Sequence, residues 1–170
     1  MIEEISRKYL EIKSINYLKE AQKPSKNFSL SFTKLNDFQL NKFFYKQIGK
    51  KYHWIDRLIW TDQNWTNYVS DKNLSTYVLK NGEDLVGYYE LIFDEKRQEA
   101  EIAYLGVLEE YFGKKLGGFL LSDAIKKSFF LGAKRVWVHT CSSDHRNALK
   151  NYLSRGMKVF KSEILKREIA

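Results

Sequence analysis

Proline occurs once in the 170 residues, at Pro24, and cysteine once, at Cys141. A single cysteine excludes an intrachain disulfide framework and a cysteine-rich zinc module, and it fits a reducing compartment. No run approaches the roughly 18 uninterrupted apolar residues that a membrane span needs. The first residues, Met1 to Lys8, are charged and carry no apolar stretch of the signal-peptide kind, so a cytoplasmic protein is the default expectation. The chain has neither an internal repeat nor a low-complexity tract. Hydrophobic residues make up 44% and aromatic residues 15%, which separates the sequence from the disordered class. The length suits one domain spanning 1–170, large enough to bury a single core.

Acidic residues are scarce in one part of the chain only. Residues 1–112 carry 16 basic and 17 acidic side chains, whereas 113–170 carry 13 basic and 4 acidic. The whole net charge of +8 therefore comes from the last third. A basic protein invites a nucleic-acid reading. Neither zinc-finger spacing nor an RNA-binding aromatic motif accompanies the charge, so nucleic acid is not the expected partner.

The apolar spacing predicts strands over Leu10–Ile15 and Phe28–Leu35, separated by a loop around Pro24. A helical pattern runs from Asn36 through Leu40, Phe43, Phe44 and Ile48, and a second short helix is capped by Thr61 and runs through Trp65 and Tyr68. Strands follow over Ser75–Leu79, Leu85–Phe93 and Glu99–Leu108, the first two joined by the Asn81-Gly82 hairpin signal. The helix marked by Leu116, Leu120, Ala124 and Phe129 stops near Gly132. A strand over Arg135–Thr140 comes next. A helix capped by Ser143 or Asp144 then carries Tyr152 and stops at Gly156, and a last strand covers Met157–Ile164. This order predicts an α+β fold with a mixed sheet covered by helices.

The segment from Leu105 to Gly118 takes a strand into a helix through a turn with Gly113, Gly117 and Gly118. Free N–H groups at a helix N-terminus favour phosphate oxygens, and glycine lets phosphate approach the backbone. Lys114 and Lys115 add charge at the same place. The spacing matches neither a P-loop nor a dinucleotide fingerprint.

With its surroundings this turn resembles that of the GNAT (Gcn5-related) N-acetyltransferase superfamily. There the turn reads Arg/Gln-x-x-Gly-x-Gly/Ala, and its amides bind the pyrophosphate of acetyl-CoA. In this sequence the pattern falls on Phe112, Lys115 and Gly117. Phe112 stands for Arg/Gln, and Lys115 stands for the first Gly, where its side chain can pair with phosphate. Thr140-Cys141-Ser142-Ser143-Asp144-His145, then Ala148, Tyr152 and Gly156, resembles a bacterial GNAT subgroup with a Thr-Cys-x-x-Asp-His motif. Arg146 replaces its usual Pro, and Met157 its usual Phe. The likeness covers residues 75–165.

The resemblance implies a mostly antiparallel central sheet flanked by helices, with a strand–turn–helix cofactor site. It implies acetyl-CoA as cosubstrate, no metal, and an amine-bearing acceptor. It names the backbone of Leu105 for the oxyanion and Val107 for pairing with pantetheine. Phe112, Gly113, Lys114, Lys115, Leu116, Gly117 and Gly118 become the phosphate turn, and Tyr152 the acid for the departing thiolate. A homodimer is left open, and no membrane partner is expected.

A free alkyl amine has a pKa near ~10.4, so acyl transfer gains from a base. By the period of two, Glu101 shares a strand face with Ala103, Leu105 and Val107, where desolvation would raise its pKa. It lies roughly 13 Å along the strand from Leu105, which calls for a water relay. Glu90 on the preceding strand and His139 are the other candidates. Tyr52, His53, Trp54 and Arg57 are read as the acceptor pocket, with Arg57 and Trp54 clasping an anionic group. His139 is placed among the substrate contacts as well. Cys141 is read as a small buried hydrophobe, with no base–orienter pair to make it a nucleophile. The alternatives are a non-catalytic acyl-CoA-binding module and a basic nucleic-acid or ribosome-surface binder.

Overall fold

The computed structural model describes residues 1–33 and 37–168. Its elements are β1 (Ile2–Ile12), β2 (Phe28–Phe32), α1 (Gln39–Gly49), α2 (Asp62–Val69), β3 (Leu74–Asn81), β4 (Asp84–Asp94), β5 (Glu99–Val107), α3 (Leu116–Phe130), β6 (Arg135–Cys141), α4 (Ala148–Ser154) and β7 (Lys158–Glu168). The strands form one sheet in the order β2-β3-β4-β5-β6-β1-β7, antiparallel except for the β5–β6 pair. This is the expected α+β architecture. Among the described residues no helix is long and apolar enough to cross a membrane.

Local chemistry accounts for most of these elements. Thr61 and Asn64 make a reciprocal capping box at the start of α2, each side-chain oxygen accepting the other's backbone N–H. The β3–β4 hairpin turns at Gly82, whose φ of 61° is the left-handed conformation the Asn-Gly signal anticipates. Leu116, Leu120, Leu121, Ala124 and Ile125 form the buried face of α3, packed on Leu10, Val86, Leu91 and Ile102 of the sheet. On the opposite face Phe44 and Ile48 of α1 pack on Val78 and Tyr88. Two clusters on the two faces of one sheet thus fix where α1 and α3 lie.

Three expected boundaries move. The first strand begins at Ile2 and ends at Ile12, because β1 sits between β6 and β7 and needs apolar residues on one face only. The last strand likewise continues to Glu168, its exposed residues Lys166 and Glu168 carried by pairing with β1. The expected strand end at Leu35 and helix start at Asn36 lie outside the described residues. Asp144 does not cap α4. Its carboxylate accepts the Thr140 hydroxyl at 2.7 Å and the Cys141 N–H at 2.8 Å, and α4 starts only at Ala148, after Asn147.

One irregularity matters more than these. Ile102 pairs with Leu91 and Tyr104 with Glu90, so Ala103 is an extra residue in β5. Such a bulge breaks the period of two. Ala100, Ile102, Leu105 and Val107 all belong to the α3 side, while Tyr104 packs with the α1 cluster. A Cβ on Gly106 would likewise strike Ile48 of α1, at 2.8 Å.

Candidate active site

β5 and β6 pair only from Glu99 with Arg135 to Glu101 with Trp137, and beyond that point the two strands part. A cleft of about 1200 Å³ opens between them. Leu105 and Val107 line it on one side and His139 and Cys141 on the other. At its far end it reaches the first turn of α3, and α4 with Tyr152 forms a further wall.

The turn into α3 lines the cleft through Phe112, Gly113, Lys115, Leu116, Gly117 and Gly118, whereas Lys114 does not. Lys115 occupies the position before α3 with φ 61° and ψ 20°, a left-handed conformation ordinarily left to glycine. The side chain thus costs the fold about 1–2 kcal/mol of local strain. Lys115→Gly is therefore expected to raise stability by about 1 kcal/mol while removing a cation from the cleft. Chemical denaturation reads the first effect, and a variant less stable than the parent contradicts the strain.

Tyr152 is 8% exposed on α4. Burial, with the Asp144 carboxylate adding to it, pushes its phenol pKa up, so the hydroxyl stays protonated at neutral pH. One helical turn further, Arg155 lines the same cleft. His145 forms an edge-on contact with Phe112 at 5.0 Å between centroids and another with Tyr52 at 5.8 Å. These rings link the turn before α3 to the loop after α1, as does the Lys51–Glu109 ion pair.

Beyond the splay point the cleft is lined by Trp54, Asp56 and Tyr104, the expected acceptor side. Trp54 meets Tyr104 edge-on at 4.7 Å. Arg57 is not with them and is not free for an anionic group. It is 7% exposed, and its guanidinium donates to Glu90 at 3.1 and 3.4 Å. It lies 4.1 Å from the Tyr68 ring centroid and 4.4 Å from that of Tyr104. Burial is the largest single influence and opposes its charge, but the Glu90 carboxylate together with Tyr68, Tyr104 and Tyr88 outweighs it and keeps the guanidinium protonated.

Glu90 is equally unavailable as a base. It is completely buried, and it also accepts bonds from Asn41 at 2.7 Å and Tyr68 at 2.7 Å. Arg57, Asn41 and Tyr68 all donate to its carboxylate. Glu101 lies below the point where β5 and β6 part and does not line the cleft. The Ala103 bulge puts it on the face opposite to Leu105 and Val107, correcting the shared face expected from simple alternation. One carboxylate oxygen is buried without a partner. Burial raises its pKa above the usual carboxylate range, and Arg57 draws it partly back. His139 does reach the cleft, where surrounding protein atoms and then the Arg7 guanidinium hold its imidazole below its ordinary pKa. Among the described residues no three His, Cys, Asp or Glu side chains gather as a metal site.

A splayed strand pair opening onto a glycine-bearing helix N-terminus, in this order of elements, can be compared with known proteins. The family model described as Acetyltransferase (GNAT) family matches residues 36–157. The chain belongs to the GNAT acetyltransferase family. A comparison with curated proteins returns no match. Among solved structures, a conserved protein of unknown function from Staphylococcus epidermidis superposes with a TM-score of 0.69 at 15% identity, over 96% of this chain and 61% of its own. A GCN5-related N-acetyltransferase from Kribbella flavida gives 0.65 at 14% identity, over 95% and 56%. An aminoglycoside acetyltransferase from an uncultured soil metagenomic sample gives 0.62 at 16%, over 75% and 86%. The chain thus spans about three-fifths of the first two structures.

Within this GNAT fold, several cleft residues escaped the sequence reading. Tyr104 carries no distinguishing signal in the sequence, and only the bulge at Ala103 turns it to the α1 side of the sheet. Asp56 was overlooked beside Arg57. Asn151 on α4 and Arg155 at its C-terminal cap were missed as well, and helical spacing places Arg155 beside both Asn151 and Tyr152.

Proposed function

We propose that the protein is an N-acetyltransferase that moves the acetyl group of acetyl-CoA to a primary amine by direct attack in a ternary complex. The observation that carries this reading is the continuity of one cleft from the parted β5–β6 strands to the N-terminus of α3, with the Tyr152 side chain on its wall. The residues present suit the cosubstrate. The α3 N-terminus offers N–H groups without intrahelical partners, and a Cβ added at Gly117 would find its nearest neighbour only at 3.6 Å. Bound there, acetyl-CoA supplies an activated thioester carbonyl.

The chain's own groups do the rest. The backbone N–H of Leu105 holds the developing oxyanion, a contribution worth a few kcal/mol where donors are placed in advance. Val107 pairs with pantetheine as an added strand would. The protonated Tyr152 hydroxyl donates to the departing sulfur. Because a thiolate is less basic than this phenolate, the hydroxyl stabilises the leaving group as a hydrogen-bond donor. Glu101 takes the acceptor's proton through water, since its carboxylate does not reach the cleft. Trp54 and His139 contact the acceptor. The aminoglycoside acetyltransferase among the similar structures is in keeping with an amine acceptor. The lone thiol of Cys141 accords with a cytoplasmic setting.

A thiol-release screen of acetyl-CoA against amines tests the reaction. With an active amine, kcat/KM rises with pH as the base loses its proton. Burial raises the Glu101 pKa, so this acid limb lies above the ordinary carboxylate range. Glu101→Gln is expected to abolish the limb and lower the plateau by about tenfold to a hundredfold. An unchanged profile in that variant shows that another group is the base.

A further inference from the structure

We propose that Arg155 is a phosphate ligand for the CoA portion of the cosubstrate, reaching from α4 onto the first turn of α3. The inference rests on the acetyl-CoA reading above and names a residue that reading does not use. Arg155 lines the cleft, and its Nη1 lies 3.3 Å from where a Cβ on Gly118 would stand. Asn151, one turn earlier, places its amide nitrogen 3.6 Å from the corresponding point on Gly117. Two side-chain donors of α4 therefore meet the helix turn whose backbone N–H groups have no intrahelical acceptor. α3 is 15 residues long, so its dipole adds to the same positive end.

The guanidinium has no internal employment. Among the described residues no carboxylate lies within ion-pair distance of Arg155, and its Nε is buried without a hydrogen-bond partner.. A buried guanidinium nitrogen left unpaired weakens a fold, so folding alone does not explain this arginine. Two other arginines on the walls differ in this respect: Arg7 bonds Cys141 and faces Glu163, and Arg167 donates to Glu3.

The side chain also leaves from a fixed point. The Arg155 N–H donates to the Asn151 carbonyl at 3.0 Å, and its own carbonyl accepts from Lys19 at 2.9 Å. The next residue, Gly156, has φ 102°, and a Cβ there would fall 2.1 Å from the Tyr17 carbonyl oxygen. Only glycine lets the chain pass so close to the 17–19 segment, which holds Arg155 in place. A planar guanidinium on a rigid base suits a phosphate group, whose oxygens match its fork.

The test uses the intact chain and two probes, CoA and the phosphate-free acetyl-pantetheine. In calorimetric titration, Arg155→Gln is expected to weaken CoA binding about tenfold or more, with a shallower dependence on salt. Arg155→Lys, which keeps the charge without the fork, should fall between the two and guards against a folding defect in the first variant. Turnover of acetyl-pantetheine with an active amine should be unchanged in both. Equal CoA affinity in parent and Arg155→Gln overturns the assignment. So does an equal loss with both probes, which would mark a structural role. Failure of the parent itself to bind CoA overturns the acetyl-CoA reading, and this assignment with it.

Discussion

Replacing Glu90 by alanine is expected to remove about 3–5 kcal/mol of folding stability, the usual cost of stranding one partner of a buried ion pair. The variant would leave Arg57 enclosed by Tyr68, Tyr104 and neighbouring indoles without its hydrogen-bonded carboxylate partner. It would also leave the Asn41 amide and Tyr68 hydroxyl short of an acceptor. Urea unfolding followed by tryptophan fluorescence reads this directly, since Trp65 is buried beside the pair. The exposed Lys51–Glu109 pair supplies the contrast, because Lys51→Ala should change stability by about 1 kcal/mol at most. A double variant, Arg57→Met with Glu90→Leu, should recover much of the loss, since apolar replacements of similar volume often match a buried pair. A loss below about 1 kcal/mol for Glu90→Ala would mean that water reaches the pair. The pair bears on the cleft because the Arg57 guanidinium lies over the ring of Tyr104, which lines it.

Tyr152→Phe is expected to lower kcat by about a hundredfold with little change in acetyl-CoA affinity, within the range typical of a lost proton-donating group. The phenyl ring keeps the volume, and the buried side chain contributes to the main core, so folding should be preserved. Burial raises the phenol pKa, hence the parent should show no alkaline loss from this group below about pH 10. Steady-state kinetics separates the roles. A fall in kcat at constant KM supports a hydroxyl that acts as sulfur departs, whereas a raised KM alone makes Tyr152 a binding wall.

How far the sequence carries differs between elements. The strand–turn–helix unit from β5 to α3 was legible because its signals are local: an apolar strand, clustered glycines, then an apolar helical stripe. The Thr61 cap and the Asn81-Gly82 turn were legible for the same reason. Glu101 was misplaced because a one-residue bulge has no clear local signature yet reverses every side chain beyond it. Arg57 was misread because its partner, Glu90, lies 33 residues away, and nothing in the Tyr52–Arg57 segment reveals that pairing. Asp144 has the chemistry of a helix cap, but a hydroxyl and an N–H at the end of β6 claimed it first. Local rules place elements, and long-range partners decide which charges are left free.

The charge asymmetry of the sequence finds a counterpart in the cleft, whose lining includes Lys115, Arg146, Lys150 and Arg155. All four belong to the basic last third, and such a field favours the approach of a phosphate-rich ligand. Titration of acetyl-CoA into the intact chain by calorimetry tests the central claim most directly. The account predicts saturable binding of one molecule per chain, weakening as salt rises. Absence of binding at millimolar acetyl-CoA would contradict it.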